Sequence, residues 1–191
     1  MNGRLRVAVI IGSTRVGRFG PTVAGWFAGR ARRRRDFDVE VIDLADANLP
    51  DRLTDDVPPP PVRQLAAKLE SADAFVIVTP EYNRSYPAPV KAAIDWYCSE
   101  FSGKPVTFVS YGRESGGMHA VAHLREVFAE LNAVAIRDSV SLPCYWDQYA
   151  ADGSWPKGSG ELEHSVGATL DQLAWWGFAL RDARAQQPCP H

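Results

Sequence analysis

Apolar residues along this chain recur in two periods that take turns. The run LRVAVII, Leu5 to Ile11, is apolar almost without interruption, the pattern of a central strand covered on both faces. FDVEVIDL from Phe37 to Leu44, AFVIVT from Ala74 to Thr79 and PVTFVS from Pro105 to Ser110 read as three further strands, and a fifth is expected around Ala133 to Val140. Between them the spacing switches to that of helices. One begins near Phe19, with Pro21 in its first turn and Val23, Trp26 and Phe27 on its apolar face, and ends in RARRRR. A short one covers Val62 to Ser71, and the next, with Pro89 near its start, places Val90, Ala93, Ile94, Tyr97 and Phe101 on one face. Val121, Leu124, Phe128 and Leu131 share a face of a fourth, and Val166, Leu170, Leu173, Gly177 and Leu180 share one of the last.

Five strands alternating with five helices predict an α/β fold in three layers, a parallel sheet with right-handed crossovers. No internal repeat or second domain interrupts residues 1–191, which are expected to form one unit. The consecutive prolines Pro58 to Pro61 read as a stiff extended segment, because a helix and strand follow at once. Residues 145–160, YWDQYAADGSWPKGSG, read as a surface excursion before the last helix.

In open parallel sheets ligands bind outside the carboxyl ends of the strands. That rule selects Gly12 to Arg18, Pro80 to Pro87 and Tyr111 to Gly117. The first loop, GSTRVGR, combines turn-forming glycines, two hydroxyls and two arginines ahead of a helix N-terminus, which suits an anion. Gly12 and Gly17 have P-loop spacing, but Arg18 and Phe19 stand where lysine and a magnesium-binding hydroxyl belong. The G-x-G-x-x-G of dinucleotide sites is also missing. Paired guanidinium forks fit a terminal phosphate monoester instead, with an ordinary solvated turn as the competing explanation while this loop is taken alone. TPEYNRSYP restricts its backbone with bracketing prolines and can present amides to a planar ring, and the glycine-rich SYGRESGG can bring backbone donors to the same ligand. A phosphate at one end and a planar heterocycle at the other describe a mononucleotide.

Charge adds mainly exclusions. With 21 basic and 23 acidic residues the chain has no global field that would point to nucleic acid or a membrane surface. The N-terminus runs straight into a strand rather than a signal sequence, so cytoplasm is the expected compartment. Cys98, Cys144 and Cys189 are odd in number and widely spaced, arguing against a disulfide framework or a zinc site. His119 and His123 stand at i, i+4, but no third ligand is near in sequence, and a solvated or subunit-facing helix side is the better account. The run Arg30 to Arg35 reads as a solvated helix end that meets the negative dipole terminus. Six tryptophans, Trp175 and Trp176 among them, exceed what one small core hides easily and suggest a subunit interface.

GSTRVGR, TPEYNRSYPAPVKAAIDW and GKPVTFVSYGRESGGMHAVAHLR together resemble the signature segments of the NADPH-dependent FMN reductase family, in the right order from about Arg6 to Pro143. That resemblance implies a flavodoxin-like sheet of order 2-1-3-4-5 with FMN at the switch point. It further implies that Ser13, Arg15, Gly17 and Arg18 hold the phosphate, that Pro80, Glu81, Tyr82 and Asn83 line the isoalloxazine, and that Ser110, Gly112, Ser115, Gly116 and Gly117 approach its pyrimidine side. Ala88 and Ala92 depart from the family's usual glycine and asparagine, at the edge of the site. The activity implied is a ping-pong cycle: NADPH or NADH passes a hydride to flavin N5, then a quinone, azo compound, metal oxyanion or free flavin is reduced. The flavin carries the chemistry, so no side-chain nucleophile or metal is expected, and Tyr82 is at most a pocket wall. Glu81 is expected to orient backbone or face solvent rather than serve as an acid. Arg84 and Arg113 are the loop arginines placed to meet a ribose phosphate. A homodimer or homotetramer is implied. The alternatives are an electron-carrier flavodoxin or a flavin-binding sensor without NAD(P)H turnover.

Overall fold

A computed structural model describes residues 3–54, 56–187 and 189. The elements follow in the order β1 (Leu5–Ile11), α1 (Gly20–Ala31), β2 (Phe37–Asp43), α2 (Pro60–Ser71), β3 (Ala74–Pro80), α3 (Ala88–Trp96), β4 (Pro105–Gly112), α4 (Met118–Glu130), β5 (Val134–Ala135), β6 (Val140–Pro143) and α5 (Gly160–Gln186). All ladders are parallel, in the order β2-β1-β3-β4-β5, with β6 also on β4.

The continuous apolar runs have the expected cause. Leu5, Val7, Val9 and Ile11 of β1 face one core with α1 and α5, while Ala8 and Ile10 face the other with α2, α3 and α4. β3 and β4 are buried along their whole length. Close packing is tightest where α5 crosses β1, since a Cβ on Gly177 would come 2.7 Å from Leu5 Cδ1. Leu180, expected on the same face, is only half-buried. Tyr97 and Phe101 are buried as expected, but α3 stops at Trp96, so they reach the core from the segment that follows the helix. Tyr97 Oη donates to the Val62 carbonyl at 3.1 Å, and burial pushes this phenol up to about 12.

Two expectations are corrected at the sheet's far edge. The single strand expected over 133–140 is two strands, making six in all, because the backbone at 135–138 is claimed by side chains of other elements. The Arg125 guanidinium donates to the carbonyls of Ile136 at 2.6 Å and Arg137 at 2.8 Å. Thr107 Oγ1 donates to the Asp138 carbonyl at 2.8 Å, and Gln172 Oε1 accepts from its amide at 2.9 Å. With those groups satisfied, nothing drives a continuous ladder there.

Pairing then resumes as β6, which runs on to Pro143 beside Gly112. The chain after it therefore emerges at the carboxyl end of β4, and residues 145–160 are no mere excursion. Tyr145 and Trp155 pack on Phe19 with ring centroids 4.7 and 4.8 Å away, and Trp155 Nε1 donates to the Tyr145 carbonyl at 2.7 Å. The basic run ending α1 is likewise more specific than a solvated terminus. Arg30 pairs with Glu163 and Arg34 with Asp171, tying α1 to α5, and Arg34 also holds Asp36 at 2.8 Å, which keeps that carboxyl below its ordinary value.

Candidate functional site: a cleft at the carboxyl end of the sheet

The three loops selected by topology converge on one open cleft of about 240 Å³. Ser13, Arg15, Arg18, Pro80, Glu81, Tyr82 and Gly112 line it, as do Phe19, Tyr111, Arg113, Tyr145 and Trp146.

Residues 12–18 leave β1 under tight constraint. Gly12 donates to the Val78 carbonyl at 2.9 Å, and a Cβ there would lie 2.4 Å from Val90 Cγ2. Gly17 turns the loop at φ +68°. Among the described residues no backbone or side-chain acceptor takes the amides of residues 13–17, and α1 starts with neither a side-chain cap nor an acidic residue in its first turn. A run of free amides at a helix N-terminus is an anion cradle. Arg15 is exposed on its rim with no ion pair among the described residues. Arg18 differs: its Nη1 donates to Asp43 Oδ1 at 2.5 Å and to the Ser13 carbonyl at 2.9 Å, and the Asp43 contact raises its pKa. That guanidinium ties the loop to the end of β2 while still bordering the cleft.

After β3 the chain forms a two-residue hairpin. Tyr82 N donates to the Ser85 carbonyl at 2.7 Å and Ser85 N to the Tyr82 carbonyl at 3.0 Å, with Asn83 and Arg84 both at positive φ, 50° and 64°. Its base is fixed from several sides. Glu81 N donates to the Tyr111 carbonyl at 3.1 Å, and Glu81 Oε2 accepts from the His119 amide at 3.1 Å. The carboxylate thus satisfies an orphan amide in the first turn of α4. Tyr82 Oη lies 3.1 Å from Ser13 Oγ and links the first two loops. His123 Nδ1 meets Ser85 Oγ at 3.0 Å, and His119 Nδ1 meets Arg84 Nη2 at 3.4 Å. The histidine pair therefore braces the hairpin against α4.

The third loop is held by its own carbonyls. Gly116 O accepts from Ser110 Oγ at 2.7 Å and from Ser141 Oγ at 3.1 Å. Arg113 O accepts from the amides of Gly116 at 2.9 Å and Cys144 at 3.1 Å. Gly117 sits at φ +90°, where a Cβ would lie 2.5 Å from Ser110 Cβ. Ser110, Ser115, Gly116 and Gly117 thus shape this loop from behind, and with Gly17 and Asn83 they stand outside the cleft's lining.

Five lining residues lay outside the expected set. Phe19 and Tyr145 stack on each other, and Tyr111 meets Tyr145 edge-on at 5.1 Å. Arg113, a ribose-phosphate candidate by loop position, lines the cleft itself. The one available signal for Tyr145 and Trp146 was two adjacent aromatics in an otherwise polar, turn-rich segment. Tyr111 Oη is buried without a hydrogen-bond partner, and burial pushes its pKa above the ordinary range, so it remains a hydroxyl donor. An orphan donor in the wall of a cleft whose opposite loop offers free amides calls for a polar ligand, as a bare apolar cavity would not.

A parallel sheet of order 2-1-3-4-5 with a cleft at its carboxyl end defines a flavodoxin-like fold. Sequence comparison makes the class specific: the profile of the NADPH-dependent FMN reductase family matches residues 5–147, and the chain belongs to that family. An NAD(P)H-dependent FMN reductase of Schizosaccharomyces pombe is 34% identical over 148 residues, 72% of this chain and 74% of that protein. A 2-hydroxy-1,4-benzoquinone reductase of a Burkholderia species is 30% identical over 186 residues, 94% of this chain and 98% of that one. Among solved structures, the flavoenzyme NAD(P)H:(acceptor) oxidoreductase FerB of Paracoccus denitrificans superposes with a TM-score of 0.72 at 26% identity, covering 92% of this chain and 98% of its own. The protein is an FMN-dependent NAD(P)H oxidoreductase, and the carrier and sensor alternatives are not favoured. No helix among the described residues is long and apolar enough to cross a membrane.

Proposed function

We propose that the chain acts as one domain in the cytoplasm, as a homodimer or homotetramer, and reduces small quinones at the expense of NAD(P)H. The observation that carries this reading is the pairing of unshared amides at residues 13–17 and Arg15 with a slot walled by residues 80–82 and 112–113. A phosphate fits the first and a flat ring the second. Arg15 and the free amides hold the FMN phosphate, with Ser13 beside them. Arg18 acts chiefly by fixing the loop through Asp43. Pro80, Glu81 and Tyr82 with Gly112 border the ring, and Tyr111 Oη offers a hydroxyl to the bound cofactor.

Bound FMN supplies two-electron chemistry, taking a hydride from the nicotinamide and passing it to the second substrate. The balance is NAD(P)H plus a proton plus quinone giving NAD(P)+ plus hydroquinone, with the extra proton drawn from solvent. The Burkholderia relative's named acceptor supports the quinone assignment. Arg84, at the hairpin tip outside the cleft lining, is the arginine suited to the 2′-phosphate of NADPH, which lies far from the nicotinamide ring. Steady-state rates with NADPH and NADH against a panel of quinones, dyes and flavins, with the cofactor extracted and identified, test the reading. A yellow protein that oxidises NADPH with quinones supports it. FMN-loaded protein that turns over dyes or free flavin but no quinone contradicts the acceptor.

A further inference from the structure

Oxidised FMN brings a single charged group, its phosphate, yet the cleft presents two guanidiniums without an ion pair among the described residues, Arg15 and Arg113. They project from the loops after β1 and β4, strands that β3 separates in the sheet. One phosphate does not account for both. Arg113 belongs to the ring end, beside Gly112, where the oxidised ring is neutral.

Arg113 is also held as a built element. Its guanidinium lies 5.9 Å from the centroid of the Trp146 ring, within reach of a cation–π contact. Its carbonyl accepts from Cys144 N at 3.1 Å, and Cys144 takes a left-handed conformation, φ 44°, that turns the chain over the cleft. Tyr145 is wedged against Phe19 and Tyr111, so Trp146, 43% exposed, is presented on a supported wall. Glu81, the carboxylate in the cleft's lining, accepts from the His119 amide. The result is a half-exposed indole paired with a guanidinium fork whose donors find no acid.

We propose that Arg113 and Trp146 form an acceptor subsite that selects planar aromatic acceptors carrying an anionic ring substituent, an enolate or a carboxylate. The inference rests on the quinone reductase reading above. A second ring laid over the cofactor ring would meet the indole with its edge or face and place an anionic substituent against the guanidinium, where fork geometry and charge both favour it. The 2′-phosphate of NADPH is the other anion available, but it is carried at the far end of a dinucleotide from the reacting ring.

The test compares 2-hydroxy-1,4-naphthoquinone, an enolate at neutral pH, with uncharged 2-methyl-1,4-naphthoquinone. The expected outcome for Arg113→Gln is a fall of about 10- to 100-fold in the ratio of kcat/KM values, anionic over neutral, carried by KM. Arg113→Lys keeps the charge without the fork and should recover part of the ratio. Trp146→Leu should weaken both acceptors. Binding of redox-inert 2-naphthoate to the FMN-loaded protein, read from the flavin absorbance, should weaken about 10-fold or more in Arg113→Gln, while 2-naphthamide binding changes little. Parallel loss for both quinones with unchanged naphthoate affinity overturns the proposal. Slower flavin bleaching by NADPH but not by NADH in Arg113→Gln also overturns it, assigning the arginine to the dinucleotide. If no quinone is reduced at all, the underlying reading fails, and the naphthoate titration still decides the subsite.

Discussion

The two ends of the cleft are built on opposite plans. At the phosphate end, one continuous stretch, Gly12 to Gly20, supplies cradle, charge and helix terminus, and Arg18 ties it to the end of β2 through Asp43. The ring end is assembled from afar: Glu81 from β3, Tyr111 to Arg113 from β4, Tyr145 and Trp146 from beyond β6, with Phe19 bridging back to the start. A local motif makes one end; a nonlocal packing arrangement makes the other. Substitutions of the packed residues that hold either end should therefore act through structure, and those of the unpaired guanidiniums through ligand contact.

The largest expected effect lies at the ring end. In Gly117→Ala a side chain is forced to φ +90° and against Ser110, and the domain should lose about 2–5 kcal/mol by urea denaturation, together with its FMN affinity. Unchanged stability would mean that this loop relaxes freely, contrary to the packing described.

Arg15→Ala is next. Its FMN dissociation constant should rise about 10- to 100-fold, the worth of a charge-assisted contact, with apo stability nearly unchanged and riboflavin, which lacks the phosphate, bound as before. Arg18→Ala should show the reverse emphasis, a loss of about 1–3 kcal/mol in apo stability from the broken Asp43 pair and a smaller change in FMN affinity. Equal effects of both variants on FMN binding would place both guanidiniums on the phosphate and erase the distinction.

This contrast also explains what could be read from the chain alone. β1, β3 and β4 are legible because they lie inside the sheet, where burial on both faces leaves apolar runs bounded by Gly12, Pro80 and Gly112, and the edge strand β2 shows instead as alternating apolar and polar residues. The loop at 12–18 is legible because its chemistry is contiguous. β5 and β6 blur into one segment because what separates them, Arg125, Thr107 and Gln172, comes from three other elements. Tyr145 and Trp146 are hidden for the same reason: their place depends on β6 extending to Pro143, and polar neighbours mask them. The histidine pair at 119 and 123 shows helical spacing but no hint of its partners Arg84 and Ser85, which approach through a tertiary turn.

A pH-dependent effect lies away from both ends. Lys104, buried before β4, donates to the carbonyls of Leu69 at 2.9 Å and Glu70 at 2.8 Å, closing the C-terminus of α2. Burial is the main cause that lowers its pKa from 10.5 to about 8. The unfolded chain then binds more protons between those values, so this residue's contribution to stability should increase as pH rises from about 8 towards 10.5. Denaturation midpoints across that interval, in wild type and Lys104→Met, check it: the variant should lack this slope, and an identical slope in both would assign the dependence elsewhere. FMN affinity should not follow the same profile if the cleft is independent of this end of the sheet.

The most direct measurement of the whole account is an anaerobic titration of the FMN-loaded protein with NADPH, followed at the flavin's visible absorbance and then by addition of a quinone. Bleaching complete at one equivalent of nicotinamide per flavin, with colour restored by one equivalent of quinone, is the predicted result. FMN that stays oxidised in the presence of NADPH and NADH, or reduced flavin that no quinone reoxidises, would contradict it.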